Sequence, residues 1–287
     1  MDSVKISPNK SIHTLNCKGK LLTLDVPVVM GIINVTPDSF YEDSRITSAE
    51  EYVEKAGKML LEGARILDIG GQSTRPGSTR LDVQEEVDRV LPVITSILRS
   101  FPDSLLSIDT YHHRVAEIAV EAGVAIVNDI SSGNLDPQML PTVAKLGVPY
   151  IAMHMKGSPE YMQELADYDN ILKETIDYFT RVIADCRKLG IRDIILDPGF
   201  GFAKTPAQSL ALLKQLEQFH IFGNPILVGM SRKSMIYKSL GVNPSDALNG
   251  TTVLNTLALY KGANILRVHD VREAVEAIKL VNAVRNT

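Results

Sequence analysis

Polar side chains recur at the ends of short apolar runs along this chain: Asn34, Asp109, Asn128, Asp197, Lys233 with Ser234, and Arg267 with His269. The segment Gln72-Ser73-Thr74-Arg75-Pro76 follows the second run in the same way. Asp109, Asn128 and Asp197 offer two carboxylates and an amide. Such a set suits a flat heterocycle with several N–H donors, because a carboxylate accepts two parallel bonds from an amidine-like edge. Arg267, His269, Lys233 and Asn34 suit a phosphate or diphosphate, with a hydrated Mg2+ as companion. No group of histidines and carboxylates has the tight spacing of a permanent zinc or iron site. Any single Asp or Asn here reads equally well as a cap on the following helix. A whole series of such strand ends is harder to explain as caps.

The elements that must position these groups are legible in the spacing. Apolar, β-branched runs at 28–35, 64–71, 105–111, 125–131, 149–155, 193–201, 225–231 and 264–270 alternate with longer amphipathic stretches. Near-continuous apolar strands suit a parallel sheet covered on both faces. Between them, AEEYVEKAGKMLLEGA, VQEEVDRVLPVITSIL and VREAVEAIKLVNAV carry apolar residues at helical spacing. Gly63, Gly123, Gly147, Gly190 and Gly262 stand where these helices should stop. Eight strand–helix units in about 260 residues predict an α/β (β/α)8 barrel, whose active sites lie at the carboxyl ends of the strands. An open doubly wound sheet is the rival, since strand order is not written in one sequence. Residues 11–26 read as a hairpin around Lys18-Gly19-Lys20 that plugs the bottom of the barrel. The whole of 1–287 is expected to be one barrel domain, with 1–27 as the N-terminal hairpin extension.

Composition narrows the class further. With 45% hydrophobic residues among 287, the chain has ample material for a large core. Its net charge of −4 argues against nucleic acid or an anionic membrane surface as a general partner. Two cysteines, Cys17 and Cys186, form no CxxC pair, which fits a reducing cytoplasm. No signal peptide or membrane-spanning run is evident, so a cytoplasmic protein is expected.

The segments GIINVTPDSF, DIGGQSTRPG, SIDTY, VNDIS, LDPGFGFAKT, GMSRKS and RVHDV together resemble the dihydropteroate synthases of folate biosynthesis, in order and from about residue 28 to 285. The resemblance implies a (β/α)8 barrel, a homodimer and a Mg2+-assisted transferase. The implied reaction joins 6-hydroxymethyl-7,8-dihydropterin diphosphate to 4-aminobenzoate and releases pyrophosphate. Carried over position by position, it implies a pterin pocket of Asp109, Asn128, Met153, Asp197, Phe202, Gly229 and Lys233. A diphosphate site of Asn34, Thr74, Arg267 and His269 is implied as well, with Asn34 toward the metal. Asp38, Phe40, Thr74, Arg75, Pro76, Lys233 and Ser234 would form the 4-aminobenzoate site and lids. The catalytic group would be Asp109, Lys233, Arg267 and His269. The chain departs from the family where Tyr41-Glu42-Asp43-Ser44 follows Phe40, and where Gln72 stands in place of the usual Glu. These changes bear on the lids and on the response to sulfonamides, the family's inhibitors.

Other readings remain open at this level. Phe40, an apolar ring in a polar loop, either tucks under its loop or waits for a substrate ring. Lys233 as a Schiff-base lysine fits Ser-Arg-Lys-Ser less well than an anion and heterocycle clamp. Arg232 is expected to point away from Lys233, toward solvent or a helix. His154 reads as a satisfied core histidine, Asp129 as a cap of the next helix, and Met30, Met59 and Met139 as packing residues. His112, His113 and His220 are given no role. Two other functions share the pterin ligands: a pterin-binding methyltransferase barrel acting with a corrinoid protein, and a non-catalytic pterin-binding barrel.

Overall fold

The computed structural model describes residues 12–35, 45–72 and 80–287, with backbone alone at 45–48. Two antiparallel strands come first, β1 (Thr14–Cys17) and β2 (Lys20–Thr23). They are joined by Lys18-Gly19, both at positive φ (53° and 88°), the conformation a two-residue hairpin turn demands.

Eight parallel strands follow: β3 (Val28–Asn34), β4 (Ile66–Gly70), β5 (Leu105–Asp109), β6 (Ile126–Asp129), β7 (Tyr150–Met153), β8 (Ile194–Asp197), β9 (Leu227–Val228) and β10 (Ile265–Val268). Each strand from β3 to β8 pairs with the next, β9 pairs with β10, and β10 returns to pair with β3. A parallel bridge between Leu196 and Ile226 joins the β8 and β9 sides and closes the ring. Sequential pairing with closure is a barrel. A doubly wound sheet would instead reverse its strand order at a switch point.

Among the described residues nine helices surround the ring: α1 (Arg45–Glu62), α2 (Val83–Ser100), α3 (His113–Glu121), α4 (Met139–Leu146), α5 (Ile171–Lys188), α6 (Pro206–Lys214), α7 (Ser234–Leu240), α8 (Leu248–Tyr260) and α9 (Val271–Arg285). The last two strands are linked by a pair, α7 and α8, where the spacing had predicted a single unit. Local chemistry marks the helix ends. Asp82 caps α2 by accepting from the Gln84 amide, and Thr205 and Gln208 form a reciprocal capping box on α6. The five glycines read as helix stops all have positive φ.

Strand alternation divides the interior into two shells. Outward residues such as Leu67, Ile69, Val127 and Leu196 pack under the helices. Inward residues at the strand beginnings (Met30, Ile66, Ile126, Ile151, Ile195, Leu227 and Ile265) pack together with Leu15, Cys17, Leu22 and Leu24 of the hairpin. The hairpin therefore plugs the bottom of the barrel with apolar side chains. No helix among the described residues is long and apolar enough to cross a membrane.

Candidate active site

The same alternation places polar groups above the plug. In β4, Ile66 faces the axis, so Asp68 and Gly70 share its face. Asp68 lies beside Ile32 of β3 and Ser107 of β5, and Asn128 lies beside Asp109. Asp68 is 0% exposed. It accepts from Asn128 Nδ2 at 3.0 Å and from Arg267 Nε at 2.6 Å, both at Oδ2. The other arm of the guanidinium, Nη2, donates to Asp109 Oδ2 at 2.6 Å. One arginine thus links two carboxylates from strands two and three places away in the ring.

Lys233 approaches from the β9 side. Its Nζ donates to the Phe200 carbonyl at 2.8 Å and stands 4.6 Å from the centre of the Phe202 ring. A Cβ on Gly229 would sit 3.8 Å from that Nζ and 3.9 Å from Arg267 Cβ and Cδ, so the glycine leaves space between the two cations. Asp197, at the tip of β8, accepts from the Gly199 amide at 2.8 Å. Met153 pairs with it across the ladder and packs with Phe202, Tyr111 and Ile130 in an apolar shelf. Ser231 Oγ meets His269 Nδ1 at 3.0 Å and accepts from the His269 amide at 3.2 Å. Ser234 opens α7 immediately after Lys233.

The electrostatics follow from enclosure. Burial pushes the Asp109 carboxyl up to about 7, against the pull of Arg267 and with the push of Asp68. Burial also raises Asp197, opposed chiefly by Lys233. Lys233 is pushed down to about 8 by burial, with Asp197 opposing. Burial works against the Arg267 charge too, but Asp68 and Asp109 hold its pKa above the ordinary value. Crowding by protein and the Arg267 charge push His269 down to about 4, although the ring keeps an exposed side. The free site at neutral pH therefore holds a fixed cation at Arg267, a titratable cation at Lys233 and a neutral imidazole at His269. Asp68 Oδ1 and Asp109 Oδ1 are buried with no hydrogen-bond partner. Acceptors left so are costly unless a donor arrives.

The loop after β8 is held by a residue the sequence reading passed over. Lys204, 1% exposed, donates to the carbonyls of His154, Gly199 and Phe202 at 3.0–3.1 Å. Gly199, at φ +68°, lies so close to His154 that a Cβ would overlap its carbonyl oxygen. This loop therefore approaches β7 in a way only glycine permits.

Asp68 was also missed. Its signal was present: a carboxylate in mid-strand, two residues before a strand end and on the inward face. Two readings need correction. Asp129 faces outward and caps no helix, since α4 begins ten residues later at Met139. It holds a loop by accepting from the Ser131 amide and hydroxyl, the Gly133 amide and the Tyr150 hydroxyl. His154 is buried against Tyr178, edge to face, but its Nδ1 has no partner, so it is not a satisfied histidine. Arg232 turns from Lys233 toward a helix, as expected, and meets Asp270 at the start of α9. Gln72 is buried, and its Oε1 accepts from the Leu81 amide at 2.8 Å. The lid candidates Asp38, Phe40, Thr74, Arg75 and Pro76, with Tyr41 to Ser44, lie outside the described residues.

A family model for pterin-binding enzymes matches residues 30–269. The chain belongs to the pterin-binding enzyme family. Within that family it is 44% identical over 271 residues to the dihydropteroate synthase of Escherichia coli K12, covering 94% of this chain and 95% of that one. Among solved structures it is similar to the Yersinia pestis dihydropteroate synthase in complex with a sulfonamide drug. That likeness has 42% identity and a TM-score of 0.90, and covers 96% of this chain and 100% of that one. The Xanthomonas albilineans dihydropteroate synthase with 4-aminobenzoic acid is 38% identical, with a TM-score of 0.89 and coverage of 96% and 100%.

Among the described residues of this pterin-binding enzyme no cluster of three histidines, cysteines or acids could hold an ion. Asn34, which the resemblance implies would face Mg2+, offers one amide oxygen. It is exposed at the end of β3, and its Oδ1 lies 3.7 Å from where a Cβ on Gly70 would be. A single amide oxygen fits Mg2+ shared with substrate phosphates and water, the manner in which this ion is usually held. It does not fit a resident all-protein site.

Proposed function

We propose that the chain is a transferase that condenses 6-hydroxymethyl-7,8-dihydropterin diphosphate with 4-aminobenzoate, giving 7,8-dihydropteroate and pyrophosphate in folate biosynthesis. The observation that carries this reading is the pair of buried, unpartnered carboxylate oxygens on Asp68 and Asp109 beside the cations Arg267 and Lys233. Acceptors below and cations beside them suit a heterocycle rich in N–H groups with an anionic tail.

In this reading Asp109, Asn128 and Asp197 bind the edge of the pterin, and Met153, Phe202 and Gly229 shape its slot. Lys233 spans ring and tail. Arg267, His269 and Asn34 take the diphosphate, and Ser234 with Lys233 faces the 4-aminobenzoate. The bond between the pterin methylene carbon and the diphosphate oxygen breaks, and its electron pair leaves with pyrophosphate. The resulting cation is delocalised into the dihydropterin, where the Asp109 carboxylate stabilises it. The neutral aromatic amine attacks that carbon, and its proton passes to pyrophosphate or water. No nucleophile–base pair is required. Mg2+, when bound, neutralises part of the charge on the departing anion.

A homodimer in the cytoplasm completes the reading. Val253, Leu257 and Tyr260 on α8 are exposed at helical spacing, a face that a second copy would cover. Both cysteines are free and buried, which suits a reducing compartment.

The test is pyrophosphate release with both substrates and Mg2+. Release that depends on 4-aminobenzoate is expected. Pterin binding without release would instead point to a non-catalytic barrel, and methyl transfer to a corrinoid protein would point to the methyltransferase reading. Sedimentation of the purified protein tests the dimer.

A further inference from the structure

The Ser-Arg-Lys-Ser tip after β9 contains a residue with no place in the substrate site. Arg232 sits at φ +55°, the left-handed region that a residue with a Cβ enters only when its surroundings compel it. Every part of its head is engaged away from the pocket. Nε and Nη2 donate to Asp270 Oδ2 and Oδ1 at 2.9 and 2.8 Å, a bidentate pair. Nη1 donates to the Ser245 carbonyl at 2.7 Å, in the connection between α7 and α8. The Arg232 amide donates to Thr251 Oγ1 at 3.1 Å, and that hydroxyl in turn donates to the Ala247 carbonyl at 2.8 Å.

The partners are adjacent in sequence to the residues that matter. Arg232 lies between Ser231, which meets His269, and Lys233. Asp270 directly follows His269. We propose that Arg232 and Asp270 act as a positioning pair. Their ion pair sets the distance between the Ser231–Lys233 tip and the Arg267–His269 tip, and so the width of the gap that receives the anionic tail. Neither residue touches substrate. The left-handed turn at Arg232 directs the guanidinium to Asp270 while Lys233, one residue on, reaches into the pocket. Lysine at 232 would supply charge but not two parallel bonds.

This inference rests on the proposed diphosphate site, and the experiment separates the two. Wild-type protein, Arg232→Lys, Asp270→Asn and the double variant are compared for turnover, for inorganic pyrophosphate binding, and for binding of a pterin lacking the diphosphate. Wild-type protein that neither turns over nor binds pyrophosphate sinks the reading of the site, whatever the variants do. Given wild-type activity, each single variant is expected to weaken pyrophosphate binding and kcat/KM for the pterin diphosphate by about ten- to a hundredfold, as small displacements of binding groups do. Binding of the diphosphate-free pterin should change less than about threefold. The double variant should be no worse than either single one, as for residues acting as a unit. Equal loss of pterin and pyrophosphate binding, additive losses, or unchanged pyrophosphate binding would each overturn the proposal. If Asp270→Asn fails to fold, Arg232→Lys carries the same comparison.

Discussion

Asp68 and Arg267, 199 residues apart in the chain, meet inside the barrel at 2.6 Å, across the intervening strand β3. Asp68 has no exposure, so the arginine is oriented by a group that solvent does not reach. Asp68→Ala would leave a buried cation short of one partner and should destabilise the fold by about 3–5 kcal/mol, measured by urea unfolding. Asp68→Asn keeps the shape but not the charge. Its unfolding midpoint should move less, while kcat/KM for the pterin diphosphate falls at least about tenfold. Full activity in Asp68→Asn would mean that Arg267 is oriented without it.

Asp197→Ala should remove an acceptor from the floor of the site. Pterin affinity is expected to fall by more than about tenfold, roughly 1.4 kcal/mol, as measured by calorimetry. A smaller loss would show that the ring lies elsewhere.

The pH dependence has a definite sign. Asp109, raised to about 7, gains its charge as pH climbs through that value; Lys233, lowered to about 8, loses its charge as pH climbs through that one. Both are ionised together only between these limits. A profile of kcat/KM for the pterin diphosphate should therefore peak between about 7 and about 8 and decline on both sides. Lys233→Arg stays charged, so its alkaline limb should vanish while the acid limb persists. A wild-type profile flat from about 6 to about 9 would contradict these assignments.

Gly199→Ala should be disproportionately harmful for one added methyl group. The new Cβ would overlap the His154 carbonyl oxygen, and the backbone is left-handed there. Destabilisation of more than about 2 kcal/mol is expected from clash and strain together. Lys204→Met leaves three carbonyls, two of them in buried hydrogen bonds, without their donor, at about 1–3 kcal/mol or more. Thermal unfolding with and without pterin would measure both variants.

Much of this arrangement is legible in the sequence. The eight strands fell on apolar runs because a strand enclosed on both faces must be apolar throughout, and their polar ends stood out for the same reason. Asp109, Asn128, Lys233 and Arg267 were found in this way and do come together, with Asp197 beside them. Asp68 does not stand out among the strand ends, because it lies in mid-strand and only alternation brings it to the same wall. Lys204 escaped because a lysine in a loop reads as solvated, and its three carbonyl partners come from backbone that only folding assembles. Arg232 and Asp270 could be separated from their neighbours by alternation, but not matched to one another, since they stand 38 positions apart in the chain.

Sealing one end of the cylinder with the hairpin leaves a single doorway. A chamber of that kind must be filled in sequence: whatever rests on the floor has to arrive before anything stacked above it. The Leu15, Cys17 and Leu22 plug, remote from any reacting atom, would thereby dictate the order in which substrates queue.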